Sequence, residues 1–426
     1  MAHLITKLRP ILGEQNISIL KNFVTATKVA GYRSLRMMRT GLHLKENNAA
    51  HKILKFADDN KQVYFGYYDI TPFSQDSRLL LAIHAPMKST APKPETEVVI
   101  GYYDLNDEKG TFYNVDRTTT WCWQQGCRLQ WYPDGSNQNI LYNRLIDNQY
   151  GCVIQDIQSK KIIKSFNRPV YAISTDGRWG ISLNFSRLQR LRPGYGYANL
   201  PDKSEGRLVP DDDGIWRINI NTGKENLLFS LADIIKMEQL KNMGNAEHYF
   251  NHLLFNPDGS RFMFFHLWIK DGRRYNRLMT CDIDGKDLYP LINEGHVSHY
   301  FWKSNNELLA FSTHSDTGMN FHLYRDKSNF REIIGKGFLT QDGHPSYSPD
   351  GSMLLTDTYP DKYRNQHLLI FSLKENNLFQ IGSFYSPLSF KGEVRCDLHP
   401  RWSSCGKYIC FDSAHERKRA MYVMLC

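Results

Sequence analysis

Residues Leu253–His266 read LLFNPDGSRFMFFH. An apolar run enters a Pro-Asp-Gly turn, and a second apolar run leaves it. Asp-Gly supplies the positive φ angles that a short hairpin demands, so the segment predicts strand, tight turn, strand. The pattern recurs as PFSQDSRLLLAIH (Pro72–His84), LQWYPDGSNQNILYN (Leu129–Asn143) and YAISTDGRWGISLN (Tyr171–Asn184). It returns as YFWKSNNELLAFSTH (Tyr300–His314), PSYSPDGSMLLTD (Pro345–Asp357) and PRWSSCGKYICFDS (Pro400–Ser413). Seven copies, spaced as four-stranded blades with their loops would be, predict an all-β, seven-bladed β-propeller. After its turn the last copy has room for two more strands, YICFDS and AMYVMLC. The missing outer strand is expected from HKILKF (His51–Phe56), which would close the ring and hide the open edges. Two regions follow: a short N-terminal helical extension at 1–49 and the propeller at 50–426.

Composition agrees. Hydrophobic residues make up 41% of the 426 and charged residues 23%, a globular balance that excludes wholesale disorder. No apolar run is long enough to span a bilayer. The start, Met-Ala-His-Leu-Ile-Thr-Lys, does not read as a secretory leader, and the eight cysteines are scattered, so a cytoplasmic protein with reduced, buried thiols is expected. The net charge of +9 favours an anionic partner. Ile17–Arg39 can form a basic amphipathic helix. Packing on the propeller is the plain reading, and peripheral membrane contact through residues 14–40 is the sharper one. No nucleic-acid motif accompanies the charge, so no nucleic-acid partner is expected.

The turns also serve as a ruler. Five residues before each turn stand His252, His299, His344 and His399 in four successive blades, with Arg128 at the same place in the second. Seven residues after the turn glycine or its equivalent stand His266, His314, His84 and Asn184. One such histidine would ordinarily be a hydrogen-bonded contact between blades. Four at one offset are expected to meet near the axis, where imidazoles are best compensated by a metal or an anion. The expected ligand group is His299, His344 and His399 with Gln341. Mixed imidazole and amide-oxygen donors suit Mn²⁺ first, then Zn²⁺ or Ca²⁺.

The third blade is interrupted by NFSRLQRLRPGYGYANLPD, Asn184–Asp202. Arg187, Arg190, Arg192, Tyr195 and Tyr197 make it read as a binding loop, since arginine offers a planar fork to a carboxylate and tyrosine packs on sugar rings. A structural lid is the alternative. WCWQQGCRLQW, Trp121–Trp131, carries Trp123, Gln125 and Arg128, read as substrate-binding together with His266 and His314, or alternatively as an aromatic plug.

These segments, with GYYD (Gly66–Asp69), QDGHPSYSPDG (Gln341–Gly351) and CDLHPRWS (Cys396–Ser403), resemble a family of bacterial propeller proteins found with polysaccharide genes. The stretch from Glu247 onward is also similar to the oligogalacturonate lyases, seven-bladed propellers that cleave uronate glycans by metal-assisted β-elimination. The resemblance implies that His252 matches the histidine opening the lyases' fourth blade, His299 a metal-binding histidine, and Gln341 and His344 their Gln-x-x-His ligand pair. The lyases carry a further histidine two positions later, where this chain has Ser346; His399 or His296 is then expected to substitute.

Elimination beside a uronate requires that the carboxylate be neutralised, that the C5 proton be removed and that the departing O4 be protonated. Ring-bound metal with Arg187 or Arg192 is expected to do the first, His252 the second, and Tyr195 or Tyr197 the third. The rival expectation is a non-catalytic glycan-binding or scaffold propeller in exopolysaccharide biosynthesis, which needs the same arginines and aromatics but no base.

Overall fold

A computed structural model describes residues 25, 27–29 and 52–426. Of the basic run expected as a helix, Thr25 and Thr27–Val29 are helical; the rest of that run, and with it the expected membrane contact, lies outside the described residues. Among the described residues no helix is long and apolar enough to cross a membrane.

Seven four-stranded antiparallel sheets form the seven blades of a propeller. The six made from consecutive strands begin at Lys61, Gln130, Ala172, Glu247, Val297 and Ser346. The seventh pairs Arg401–Trp402, Tyr408–Ser413 and Ala420–Leu425 with the N-terminal strand Ile53–Phe56, in the register Ile53↔Met424 to Phe56↔Met421. Closure by the N-terminal strand therefore occurs as the sequence predicts, and it supplies the outer strand of the seventh blade.

The predicted turns are built by their aspartates. Asp134, Asp176, Asp258 and Asp350 each accept a hydrogen bond from the backbone N–H two residues on. The following glycine has positive φ, 71° at both Gly259 and Gly351, where a side chain would be strained. Apolar side chains from the strand faces fill the spaces between blades, as with Phe262, Phe264 and Leu278 in the fourth and Leu80, Ile83 and Ile100 in the first.

Two departures from regular pairing shape the centre. The inner strands of the fourth and fifth blades each carry one extra residue, between Asn251 and Leu254 and between Val297 and Tyr300. Such bulges re-aim a side chain, and the residues they displace include His252 and His299. In the first blade, pairing stops at Tyr64↔Ile83 and resumes at Phe73↔Leu80. The inner strand thus advances nine residues where its partner advances three, and the surplus, which contains GYYD, crosses the ring. The Tyr68 hydroxyl donates to the Tyr300 carbonyl at 2.7 Å and accepts from the Tyr300 N–H at 2.8 Å. Asp69 meets Arg128 through two hydrogen bonds of 3.1 Å. The first blade is thereby tied to the second and the fifth.

Helix α1, Phe185–Leu191, starts the insertion in the third blade, with the Asn184 side chain accepting from the Arg187 N–H. Its apolar residues Phe185, Leu188 and Leu191 are buried.

Several histidines serve the fold. His84 stacks on Phe112 at 3.7 Å, His248 hydrogen-bonds His266 at 2.9 Å, and His322 hydrogen-bonds the Ser312 hydroxyl at 2.9 Å. Burial lowers the pKa of His84, His248 and His322 to about 4 each. In the unfolded chain a histidine titrates near ~6.5, so between that pH and about 4 the unfolded state binds more protons than the folded one. Stability is then fully present above ~6.5 and is lost as pH falls toward the folded values. Going from pH 7 to pH 5 is expected to cost on the order of 1–2 kcal/mol for each of the three. Urea midpoints at the two pH values check this; equal midpoints would show that these sites are hydrated or rearranged.

Candidate active site

The four histidines at the common offset converge. The rings of His299 and His344 lie 4.1 Å apart, and those of His344 and His399 4.4 Å. Tyr67, delivered by the crossing segment, stacks on His252 at 5.0 Å and stands edge-on to His399 at 4.9 Å and to His344 at 5.9 Å. In the sequence GYYD stands out only as part of a resemblance, with no role apparent for Tyr67. A long excursion ahead of the turn cannot be positioned by counting back from the turn.

Three of the imidazoles are oriented alike. His344 Nδ1 meets the Asp357 carboxylate at 2.8 and 3.0 Å, His299 Nδ1 meets Asp342 at 2.8 Å, and His399 Nδ1 donates to the Gly66 carbonyl at 2.8 Å. A proton fixed on Nδ1 leaves the Nε2 lone pair free, the tautomer found in metal-binding histidines with an outer hydrogen bond. His344 Nε2 and His399 Nε2 are buried and have no hydrogen-bond partner among the described residues. His299 Nε2 has the Tyr359 hydroxyl at 3.5 Å.

Carboxylates complete the set. Asp397 joins His344 and His399 in a group whose ligand atoms all lie within 4.8 Å of one another. Burial pushes the Asp397 carboxyl up, but the Arg395 guanidinium, at 2.5 Å, outweighs it and leaves the pKa below the usual value. Burial also holds the His299 pKa below its ordinary range, and those of His252 and His399 well below it, so these rings are neutral at pH 7. Asp342 and Asp397 each stand two residues before a ring histidine; Asp342 hydrogen-bonds His299 of the preceding blade, and Asp397 lies among His344 and His399. That repeated Asp-x-His spacing is a signal from which both could have been found.

Beside the ring lies a cavity of about 180 Å³, lined among others by Tyr67, Arg192, His252, Arg274, His296 and His299. Arg192 belongs to the third-blade insertion and lies over the Tyr195 ring at 4.1 Å. The Tyr195 hydroxyl accepts from Arg395 Nη2 at 2.6 Å. A larger cavity of about 410 Å³, lined by Arg168, Lys203, Asp213 and Trp216 among others, contains no histidine. The chemistry is concentrated in the smaller one.

Several expected site residues are used elsewhere. Arg187 is buried and donates to the carbonyls of His248, Ser204, Arg207 and Leu208, so it braces the insertion and is not available to a substrate carboxylate. Arg190 is taken up by Asp202 and Glu247. Tyr197 stacks on Phe185 at 4.3 Å, and its hydroxyl accepts from Asn143, away from the ring. Arg128 is consumed by Asp69 and the Tyr171 carbonyl. Trp123 is buried with its indole N–H donating to Thr90, while Gln125 donates to Tyr171 and Asn251. His266 is enclosed between His248 and Arg277, and His314 faces Glu294 and Tyr324. Gln341 is exposed and lines a separate groove with Phe338 and His367; the neighbouring Asp342 turns to the histidines instead.

No family model matches this chain, and no curated protein sequence matches it. Among solved structures it is similar to the oligogalacturonate lyase of Vibrio parahaemolyticus, with a TM-score of 0.60 and 13% identity over 89% of this chain and 95% of that one. It is also similar to an oligogalacturonate lyase in complex with manganese, with a TM-score of 0.64 and 14% identity over 89% of this chain and 94% of that one. At that identity the likeness establishes the shared seven-bladed fold.

Proposed function

We propose that the chain is a lyase that cleaves a uronate-containing oligosaccharide or polysaccharide by β-elimination with the help of a divalent metal ion. One observation carries the reading: among the described residues, His344 Nε2 and His399 Nε2 are buried without hydrogen-bond partners beside the Asp397 carboxylate. Two imidazoles and a carboxylate fit a divalent first-row ion, and His299 is near enough to His344 to join them. Manganese is the preferred ion, in keeping with the manganese complex of the structurally similar lyase. Zn²⁺ and Ca²⁺ are the other ions to test. When bound, such an ion supplies Lewis acidity toward the uronate carboxylate, which makes the C5 proton easier to remove.

The chain's own residues supply the rest. Arg192 and Arg274 give the cavity a cationic lining suited to an acidic sugar, and His296 adds an imidazole to it. Tyr67 offers an aromatic face, and His252, a neutral imidazole that lines the same cavity, is the residue placed to take a proton. The exposed position of Gln341 and the serine at 346 favour the second reading, a propeller that binds an acidic glycan without cleaving it.

Elemental analysis of the purified chain, paired with an assay for the ultraviolet absorbance of C4=C5-unsaturated uronides, separates the two. The expected result is close to one divalent ion per chain and a rising absorbance that chelation abolishes and Mn²⁺ restores. Binding of acidic oligosaccharides with no unsaturated product would leave the non-catalytic reading.

A further inference from the structure

The hairpin of the fourth blade, Arg261–Lys270 with Arg273–Asp282, has a cavity on each face, because side chains alternate along a strand. Leu267 and its partner Asn276, with Arg274 two residues away, line the axis cavity described above. Trp268 and its partner Tyr275 line a second cavity, of about 310 Å³. The two adjoin. Asn276 borders both, and Glu294 and Gly295 line the second where the next residues, His296 and Val297, line the first. Asn276 is pinned between them, its amide donating to the Val297 carbonyl. The second cavity is built for a sugar. Tyr275 is half-buried and lies nearly parallel to Trp268 at 6.0 Å, and Trp268 is backed by His248 at 6.0 Å. A ring held this way offers a flat apolar surface to the C–H face of a pyranose. Trp268 Nε1 and Asn242 Oδ1 are buried without hydrogen-bond partners among the described residues. One is a donor and the other an acceptor, and a hydroxyl is both. Charge separates the two cavities. The axis cavity presents Arg192 and Arg274 and, among the described residues, no carboxylate. The second presents Lys241 together with Glu294, whose carboxylate meets His314 at 3.0 Å and stays 65% exposed. A carboxylate at the wall accepts from sugar hydroxyls and repels a uronate.

Resting on the reading above, in which the axis cavity holds the uronate, we propose that the second cavity binds a neutral hexose beside that uronate on the same glycan chain. The substrate class is then a mixed glycan in which uronate and neutral sugar are neighbours, rather than a polymer of uronate alone. Tyr275 packs on the hexose ring, Glu294 accepts from its hydroxyls, and Asn276 stands between the two sugars. Cations gather where a sugar carboxylate must be held, and charge is balanced where the sugar carries none.

The test uses the full chain and matched pairs of tetrasaccharides in the gluco and galacto series. One of each pair is 4-linked uronate throughout, and the other alternates uronate with neutral hexose. Calorimetric titration after chelation of metal reads binding without turnover. In one series the mixed chain should bind about 10-fold tighter than its all-uronate partner. Tyr275→Ala should lose about 10-fold in affinity for the mixed chain, the worth of one good aromatic contact. Glu294→Lys changes an exposed side chain, so it should keep the fold, and it should bring the two affinities together by raising that of the all-uronate chain. Thermal unfolding checks that each variant is folded. Equal affinities in the wild type, preference for the all-uronate chain, a preference that the folded variants keep, or binding of neither chain would overturn the hexose site. Unsaturated product from any uronide on addition of Mn²⁺ would leave the lyase reading standing in each of those cases. A preference for the mixed chain that the variants abolish, with no unsaturated product from any uronide, would overturn the lyase reading and leave the hexose site in place.

Discussion

Replacing Arg128 by methionine is expected to destabilise the propeller by about 3–5 kcal/mol, the cost of stranding a buried carboxylate. Asp69 has no exposed side-chain surface, and Arg128 supplies both of its guanidinium contacts. The same guanidinium donates to the Tyr171 carbonyl at 2.7 Å and lies over the Tyr171 ring at 4.0 Å. Methionine fills much of the volume but offers no donor, so Asp69 must ionise unpaired or take up a proton. Urea unfolding followed by tryptophan fluorescence measures the loss. The double variant Arg128→Met/Asp69→Asn should recover a large part of it, because the stranded charge is gone. A loss below about 1 kcal/mol in the single variant would mean that water reaches Asp69, contrary to its burial. The consequence extends to the site: Asp69 lies two residues from Tyr67, so loosening the crossing segment should also weaken whatever the cavity binds.

Arg128 marks the boundary between what the sequence reveals and what it hides. Its offset from the turn is that of His252, His299, His344 and His399, and all five side chains reach the centre of the ring. The ruler works because turn and inner strand are contiguous, with few residues over which to lose register. It even carries through the bulges at His252 and His299, since the same offset counts across them. The second ruler, forward from the turn, finds real equivalence but the wrong place. His84, His266 and His314 lie one strand further from the axis, where their rings meet Phe112, His248 and Tyr324.

Partnership is the less legible part. Arg128 stands at the offset of the ring histidines and is expected to bind substrate, but its partner is Asp69, in a segment that reaches it across the ring. Arg187 was misplaced for a related reason. A residue type that binds carboxylates also binds backbone carbonyls, and an insertion with little regular structure has carbonyls to satisfy. Gln341 and Asp342 are adjacent in a loop, and Gln341 lines an outer groove while Asp342 meets His299, so a resemblance carried over at one residue can fail while its neighbour turns inward.

Asp357→Asn should reduce affinity for a divalent ion about 10- to 100-fold, the usual penalty for losing an outer partner of a metal-binding histidine. Asp357 is buried at the end of the strand Met353–Asp357 and touches two ring histidines at once. It accepts from the His344 N–H and from His344 Nδ1, and it accepts from the His399 N–H at 3.2 Å. An amide has one oxygen where the carboxylate has two. If that oxygen stays on His344, the amide NH₂ faces the His399 N–H, and two donors oppose each other. If the NH₂ turns to His344 Nδ1, it donates there, and the imidazole proton must move to Nε2. The Nε2 lone pair, the atom pointed at His399 and Asp397, is then lost. Either arrangement damages the ligand set without changing the size of the side chain. Calorimetric titration with Mn²⁺ reads the affinity, and thermal unfolding of the metal-free protein reads any loss of fold. Unchanged Mn²⁺ affinity in a folded Asp357→Asn protein would mean that His344 is not a ligand, and the metal site would have to be built from His299 and Asp342 instead.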